Sequence, residues 1–181
     1  MPIAEMQIAS KRAILPTTHF FADDGRIPNN PLPLLLYRGG IDLTGSPDPE
    51  LIIEKTFAAN GWGDMWRNGV YPYVHYHSMI HEVMGVARGS ATVRFGGENG
   101  ESIALSAGDV VVLPAGTGHQ RLKQSLDLMV IGAYPPSGKY NLCHGSKAEH
   151  GKALISIPKV PCPATDPVFG AEGPLVTLWR A

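Results

Sequence analysis

Short runs of apolar residues, some alternating with polar positions and some continuous, recur along the chain between turn-forming residues. LPLLLYR (32–38), YPYVHYH (71–77), EVMGVAR (82–88), ATVRF (91–95), SIAL (102–105), DVVVL (109–113), HQRLK (119–123), LDLMVIGAY (126–134) and ALISI (153–157) all have the length and composition of strands. Gly96-Gly97 and Asn99-Gly100 fall between two of these runs, where a hairpin needs residues tolerant of positive φ. One segment has helical periodicity instead. In SPDPELIIEKTFAANG, Asp48 is placed to cap, Pro49 opens the first turn, Ile52, Ile53 and Phe57 form a stripe, and Gly61 ends it, so the pattern predicts one helix over 49–59. Prolines at 158, 161, 163 and 167 predict an extended arm over the surface between Ser156 and Gly173. The expected fold is an all-β antiparallel domain.

Composition narrows the function. The 181 residues suffice for one domain with a buried core, and 21 glycines and 16 prolines suit a turn-rich sheet protein. A formal net charge of -1 and the lack of a basic tract exclude a nucleic-acid-binding surface of the usual kind. MPIAEMQIASKRAILP lacks the unbroken apolar core of a secretory signal, and no run reaches the roughly 20 apolar residues of a membrane helix, so a cytoplasmic protein without membrane partners is expected. Cys143 and Cys162 form neither a CxxC pair nor a disulfide framework and read as reduced and incidental.

The chemistry concentrates in HYHSMIHE, residues 75–82. On a strand His75 and His77 share a face, and the short SMIH gap allows the chain to turn and set Glu82 beside them. Two histidines on one face are by themselves either exposed polar residues or metal ligands, and the spacing alone does not choose.

The wider pattern does choose. Gly69, five residues, His75-x-His77, four residues, Glu82, six residues and Gly89 resemble the first conserved motif of the cupin superfamily; Gly108, five residues, Pro114-x-Gly116, two residues and His119 resemble the second. The surrounding words GWGDMWRNGVYPYVHYHS, HEVMGVARGSATVRFGG and GDVVVLPAGTGHQRL look most like the small bacterial YjlB-like cupins. The resemblance implies a double-stranded β-helix, or jelly roll, with a core barrel at about 60–135, a strand and helix extension over 1–59 and the extended arm over 136–181. It implies further that His75, His77, Glu82 and His119 bind a divalent metal, and the presence of all four argues against the metal-free cupins.

Two positions depart from the family pattern. Lys123 stands where the second motif usually ends in asparagine, and strict alternation from His119 points Arg121 and Lys123 inward. Buried cations need an anionic ligand or acidic partners, unless a bulge turns them outward. His81 immediately precedes Glu82 and could replace it as ligand, with Glu82 then as its hydrogen-bond acceptor, but Glu82 fits the pattern and the parity better.

Three imidazoles and one carboxylate leave coordination positions open and suit Fe, Mn, Ni, Co or Zn. Iron or manganese would support oxygen chemistry; zinc or nickel would polarise a carbonyl or water. Met84, Val86, Phe95, Met129 and Ile131 are the expected apolar interior, Tyr71 and Tyr73 offer hydroxyls, and Trp62 and Trp66 cover a barrel end or a dimer interface. The leading expectation is a homodimeric metal cupin of oxygenase or isomerase type acting on a small molecule, with Tyr73, His81 and Arg121 as candidates for orienting it. The alternative is a non-catalytic module that binds a small molecule or metal.

Overall fold

A computed structural model describes residues 14–180; the leader reading of the first residues falls largely outside them. Strands β1 (Thr17–Phe21) and β2 (Asn30–Tyr37) precede helix α1 (Pro49–Ala59). Then follow β3 (Gly63–Asn68), β4 (Glu82–Arg88), β5 (Ser90–Phe95), β6 (Glu101–Ser106), β7 (Val110–Leu113), β8 (His119–Gln124) and β9 (Met129–Tyr134). The last elements are α2 (Lys147–Ser156), a 3₁₀ turn (Ile157–Lys159) and α3 (Pro174–Leu178). The strands form two antiparallel sheets, β1-β2-β7-β4-β9-β3 and β6-β5-β8, packed face to face as a jelly roll.

Residue parity explains the layers. Leu34, Leu36, Met84, Val86, Val111, Leu113 and Val130 of the larger sheet meet Ala91, Val93, Phe95, Ile103 and Leu105 of the smaller one. The intervening residues Leu35, Tyr37, Val83, Val110, Val112 and Ile131 face outward, yet they too are buried, beneath α1 and the C-terminal segment. A sheet covered on both faces needs apolar side chains at successive positions, which is why DVVVL and LPLLLYR read as continuous runs. The same parity places Met129 and Ile131 in the outer layer, against the expectation of an interior position. Trp62 also belongs to that outer layer.

Helix α1 matches the predicted span, and the Asp48 side chain accepts from the Leu51 amide at 3.0 Å. The expected strand over 71–77 does not form as regular ladder. Pro72 has no N–H to give, and the segment makes only single bridges, His75 with His119 and Tyr76 with Cys143. The strand expected over ALISI is instead the end of α2 and the first residue of the 3₁₀ turn, and α2 is nucleated by a capping box in which the Ser146 hydroxyl accepts from the Glu149 amide and the Glu149 carboxylate accepts from the Ser146 amide. The stretch 136–181, expected as an extended arm, therefore carries two helices among its described residues. It is also stitched to the body: Trp62 Nε1 donates to the Thr165 carbonyl at 3.1 Å, and Trp179 Nε1 donates to the Pro33 carbonyl at 2.9 Å. Among the described residues, no helix is long and apolar enough to cross a membrane.

Candidate metal centre

Inward parity puts Glu82, at the start of β4, on the same side as Met84 and Val86, facing the smaller sheet. His119 opens β8 opposite the inward-facing Phe95, and reciprocal backbone bonds of 3.1 and 2.9 Å hold His75 against His119. His77 is placed from the other side: its carbonyl accepts from the Gly116 amide at 2.7 Å. Gly116 has φ +94, and a Cβ there would lie 2.4 Å from the Asn29 carbonyl oxygen, so glycine is required in the Pro114-x-Gly116 turn.

Each histidine then finds a backbone carbonyl for Nδ1: Tyr73 for His75 at 3.0 Å, Asn141 for His77 at 2.5 Å and Thr117 for His119 at 3.0 Å. A carbonyl oxygen only accepts, so each Nδ1 carries a hydrogen and each Nε2 is left to face the common space. The ligand nitrogens of His75, His77 and His119 lie within 4.8 Å of one another, and all three residues are buried. Glu82 Oε2 comes within 3.3 Å of His77 Nε2 and 3.4 Å of His119 Nε2.

Electrostatics follow from this packing. Burial, reinforced by the neighbouring His119, pushes the His75 pKa down to about 3 and keeps it neutral. Burial alone would raise the Glu82 pKa, but His77 and His119 outweigh it and hold the carboxyl below its ordinary range. Burial likewise opposes charge on His77, where the adjacent Glu82 carboxylate prevails and raises the pKa.

The cluster forms the floor of a cavity of about 510 Å³ walled by Trp66, Val70, Tyr71, Met84, Tyr134 and Tyr140. Arg67 also lines it, but its guanidinium is held by the two oxygens of Glu54 at 2.6 and 2.9 Å. Burial and the nearby Glu82 both raise the Tyr134 pKa, so this phenol keeps its proton. Trp66, expected at a barrel end or in a dimer interface, lies on the cavity wall.

The three side chains expected to orient substrate lie outside this lining. His81, one residue out of step with Glu82, faces the outer layer, where Nδ1 accepts from the Ala115 amide at 2.8 Å and the ring packs on Trp179. Tyr73 is stacked on Tyr71 at a centroid distance of 5.0 Å. Arg121 pairs across from the inward-facing Val93, with its guanidinium hydrogen-bonded to Gln124. A bulge at Leu122 then shifts the register so that Lys123 pairs with Thr92 and is exposed. Lys123 therefore needs no buried counter-charge.

Tyr134, Tyr140 and Asn141 join the site without standing out in the sequence. Tyr134 carries a usable signal, since Val130, Gly132 and Tyr134 share the inward parity of β9. Tyr140 and Asn141 sit in an irregular loop, where no periodicity can indicate them.

The chain is 42% identical over 163 residues to the Uncharacterized protein YjlB of Bacillus subtilis (strain 168), covering 90% of this chain and 95% of that one. It belongs to the YjlB family. No family model matches. The two glycine–histidine motifs meeting inside a jelly roll are those of a cupin, as the sequence resemblance implied. Among solved structures, similarity extends to an acireductone dioxygenase from Bacillus anthracis with a cadmium ion in its active center, at TM-score 0.40 and 16% identity over 58% of this chain and 80% of that one. A DUF861 family protein from Thermotoga maritima gives TM-score 0.32 and 21% identity over 56% and 96% of the two chains. A single-substitution variant of the oxalate decarboxylase of Bacillus subtilis gives 0.36 and 15% over 66% and 29%.

Proposed function

We propose that this cupin is a metal-dependent enzyme of oxygenase or isomerase type, holding one divalent ion through His75, His77, Glu82 and His119 and acting on a small organic molecule in the adjoining cavity. The observation that carries the reading is the shared orientation of the three imidazoles: every Nδ1 is committed to a backbone carbonyl, which leaves the three Nε2 atoms grouped in a buried space with a Glu82 oxygen beside two of them. That donor set suits a borderline divalent ion with open positions rather than a closed structural site. When bound, such an ion supplies Lewis acidity or, for a redox-active metal, reaction with oxygen.

The rest of the work falls to the chain. Trp66, Tyr71, Tyr134 and Tyr140 give the cavity aromatic walls with hydroxyls at two depths, suited to a compact molecule with an apolar body and oxygen donors at one end. With Arg67 committed to Glu54, the described residues of the lining offer no free guanidinium to a phosphate group. Tyr71, braced by Tyr73, and Tyr140, set against His77 at 5.0 Å, flank the mouth and exclude water once a ligand is seated.

Elemental analysis of the purified protein, with cobalt titration of the chelator-treated protein, tests the centre. One ion per chain, lost in His77→Ala and His119→Ala, is the expected result; a folded wild-type chain that takes up no ion overturns it. Oxygen-consumption and isomerisation assays on the loaded protein test catalysis, and tight ligand retention without turnover in both would reassign the chain as a binding module.

A further inference from the structure

The two oxygens of Glu82 are in different surroundings. Oε2 faces Nε2 of His77 and of His119 at 3.3 and 3.4 Å and, though buried, has no hydrogen-bond partner among the described residues. Oε1 lies 3.3 Å from the Tyr134 hydroxyl, and that hydroxyl lies 3.0 Å from Trp66 Nε1. An indole nitrogen can only donate, so the Tyr134 oxygen accepts from Trp66 and its own hydrogen is directed at Glu82. The chain of donors has one possible sense: Trp66 to Tyr134 to Glu82.

Backbone placement supports this sense. Trp66 pairs with Gly132 across the β3–β9 ladder, and a Cβ on Gly132 would lie 1.9 Å from Trp66 Cε2. The indole therefore lies flat over a position that no larger residue could occupy, two residues before Tyr134. Its face closes the cavity while its N–H reaches the phenol.

Resting on the metal reading above, we propose that Trp66 and Tyr134 are positioning residues that reserve Oε1 of Glu82, so that the carboxylate presents the single atom Oε2 to the histidine cluster. Without the phenol, a buried Oε1 would have no donor and the carboxylate would gain by turning both oxygens toward the ion. The pair thereby keeps a coordination position open for the ligand.

Cobalt-loaded protein tests the inference without any turnover assay. Tyr134→Phe, with an unchanged circular dichroism spectrum, is expected to shift the visible cobalt bands and to alter the cobalt dissociation constant by about tenfold, the scale of lost outer contacts at metal sites. Trp66→Phe leaves Tyr134 and Glu82 in place and is expected to shift the same bands in the same direction by a smaller amount. Unmoved bands in either folded variant, beside a wild type that binds cobalt, overturn the positioning role and leave the metal centre standing. A wild type that binds no cobalt overturns both.

Discussion

The Gly116 amide donates to the His77 carbonyl at 2.7 Å, so the turn of the second motif directly braces a histidine of the first. The two motifs, far apart in sequence, are thus one mechanical unit around the cluster. Because Gly116 is in the left-handed region with the Asn29 carbonyl against its open side, Gly116→Ala should destabilise the fold by about 2 kcal/mol or more. The turn also leads to His119, so metal affinity should fall with it. A urea unfolding curve and a chelator competition on the same preparation check both; unchanged affinity in a destabilised variant would separate the turn from the site.

His81 predicts an acid sensitivity independent of substrate. Burial lowers its pKa to about 4, against 6.5 in an unfolded chain, so the folded state prefers the neutral ring. Its stabilising contribution is complete above pH 6.5 and is lost as pH falls toward 4, because the unfolded chain takes up a proton that the native chain refuses. Between pH 7 and 5 this amounts to about 2 kcal/mol. In chelator-treated protein, His81→Leu should be less stable at pH 7, since the Ala115 amide loses its acceptor, yet should show a shallower decline toward pH 5. Equal slopes for the two proteins would refute the assignment.

How far the sequence can be read depends on which physical signal each residue carries. Asp48-Pro49 and the stripe through Ile53 and Phe57 mark α1 because capping chemistry and periodicity agree. The histidines are legible through the resemblance of their surroundings to the two family motifs, since the HxH spacing by itself leaves them open. Ala153, Ile155 and Ile157 alternate as in a strand, but Ser146 and Glu149 start a helix before the alternation begins, and that capping box outweighs it. Met129 and Ile131 defy the expectation for a different reason: a sheet buried on both faces has no polar positions to mark its inner side. The bulge at Leu122, which frees Lys123, is a register property with no local signature.

Asn141 predicts that a residue outside both motifs controls the site. Its Oδ1 accepts from the Ser78 amide at 2.9 Å and its Nδ2 donates to the Ser78 hydroxyl at 2.8 Å, which fixes the backbone carbonyl that receives His77 Nδ1. Asn141→Ala keeps that carbonyl but removes its anchors. Cobalt affinity should fall by about tenfold while the urea midpoint changes little, since Asn141 is only half-buried. Wild-type affinity in this variant would show that the His77 orientation is set elsewhere.

The C-terminal segment supplies the strongest stability prediction. Asp166 is fully buried, and its carboxylate accepts from the amides of Val168 at 2.8 Å, Phe169 at 3.1 Å and Leu175 at 3.1 Å, as well as from the Tyr37 hydroxyl on β2. One side chain thus organises the turn before α3 and ties it to the larger sheet. Asp166→Ala would leave these donors without an acceptor inside the protein, at about 1–3 kcal/mol for each that stays dry. Tyr37→Phe removes one donor and keeps the carboxylate with the other three, so it should be the milder change. Urea unfolding should rank wild type above Tyr37→Phe and Tyr37→Phe above Asp166→Ala, with a total loss of about 3 kcal/mol or more in the last. Limited proteolysis should cut Asp166→Ala first between residues 160 and 175, where the C-terminal segment would detach from Trp62 and Tyr37; resistance there equal to wild type would show that the helices and Trp179 hold the segment without the carboxylate.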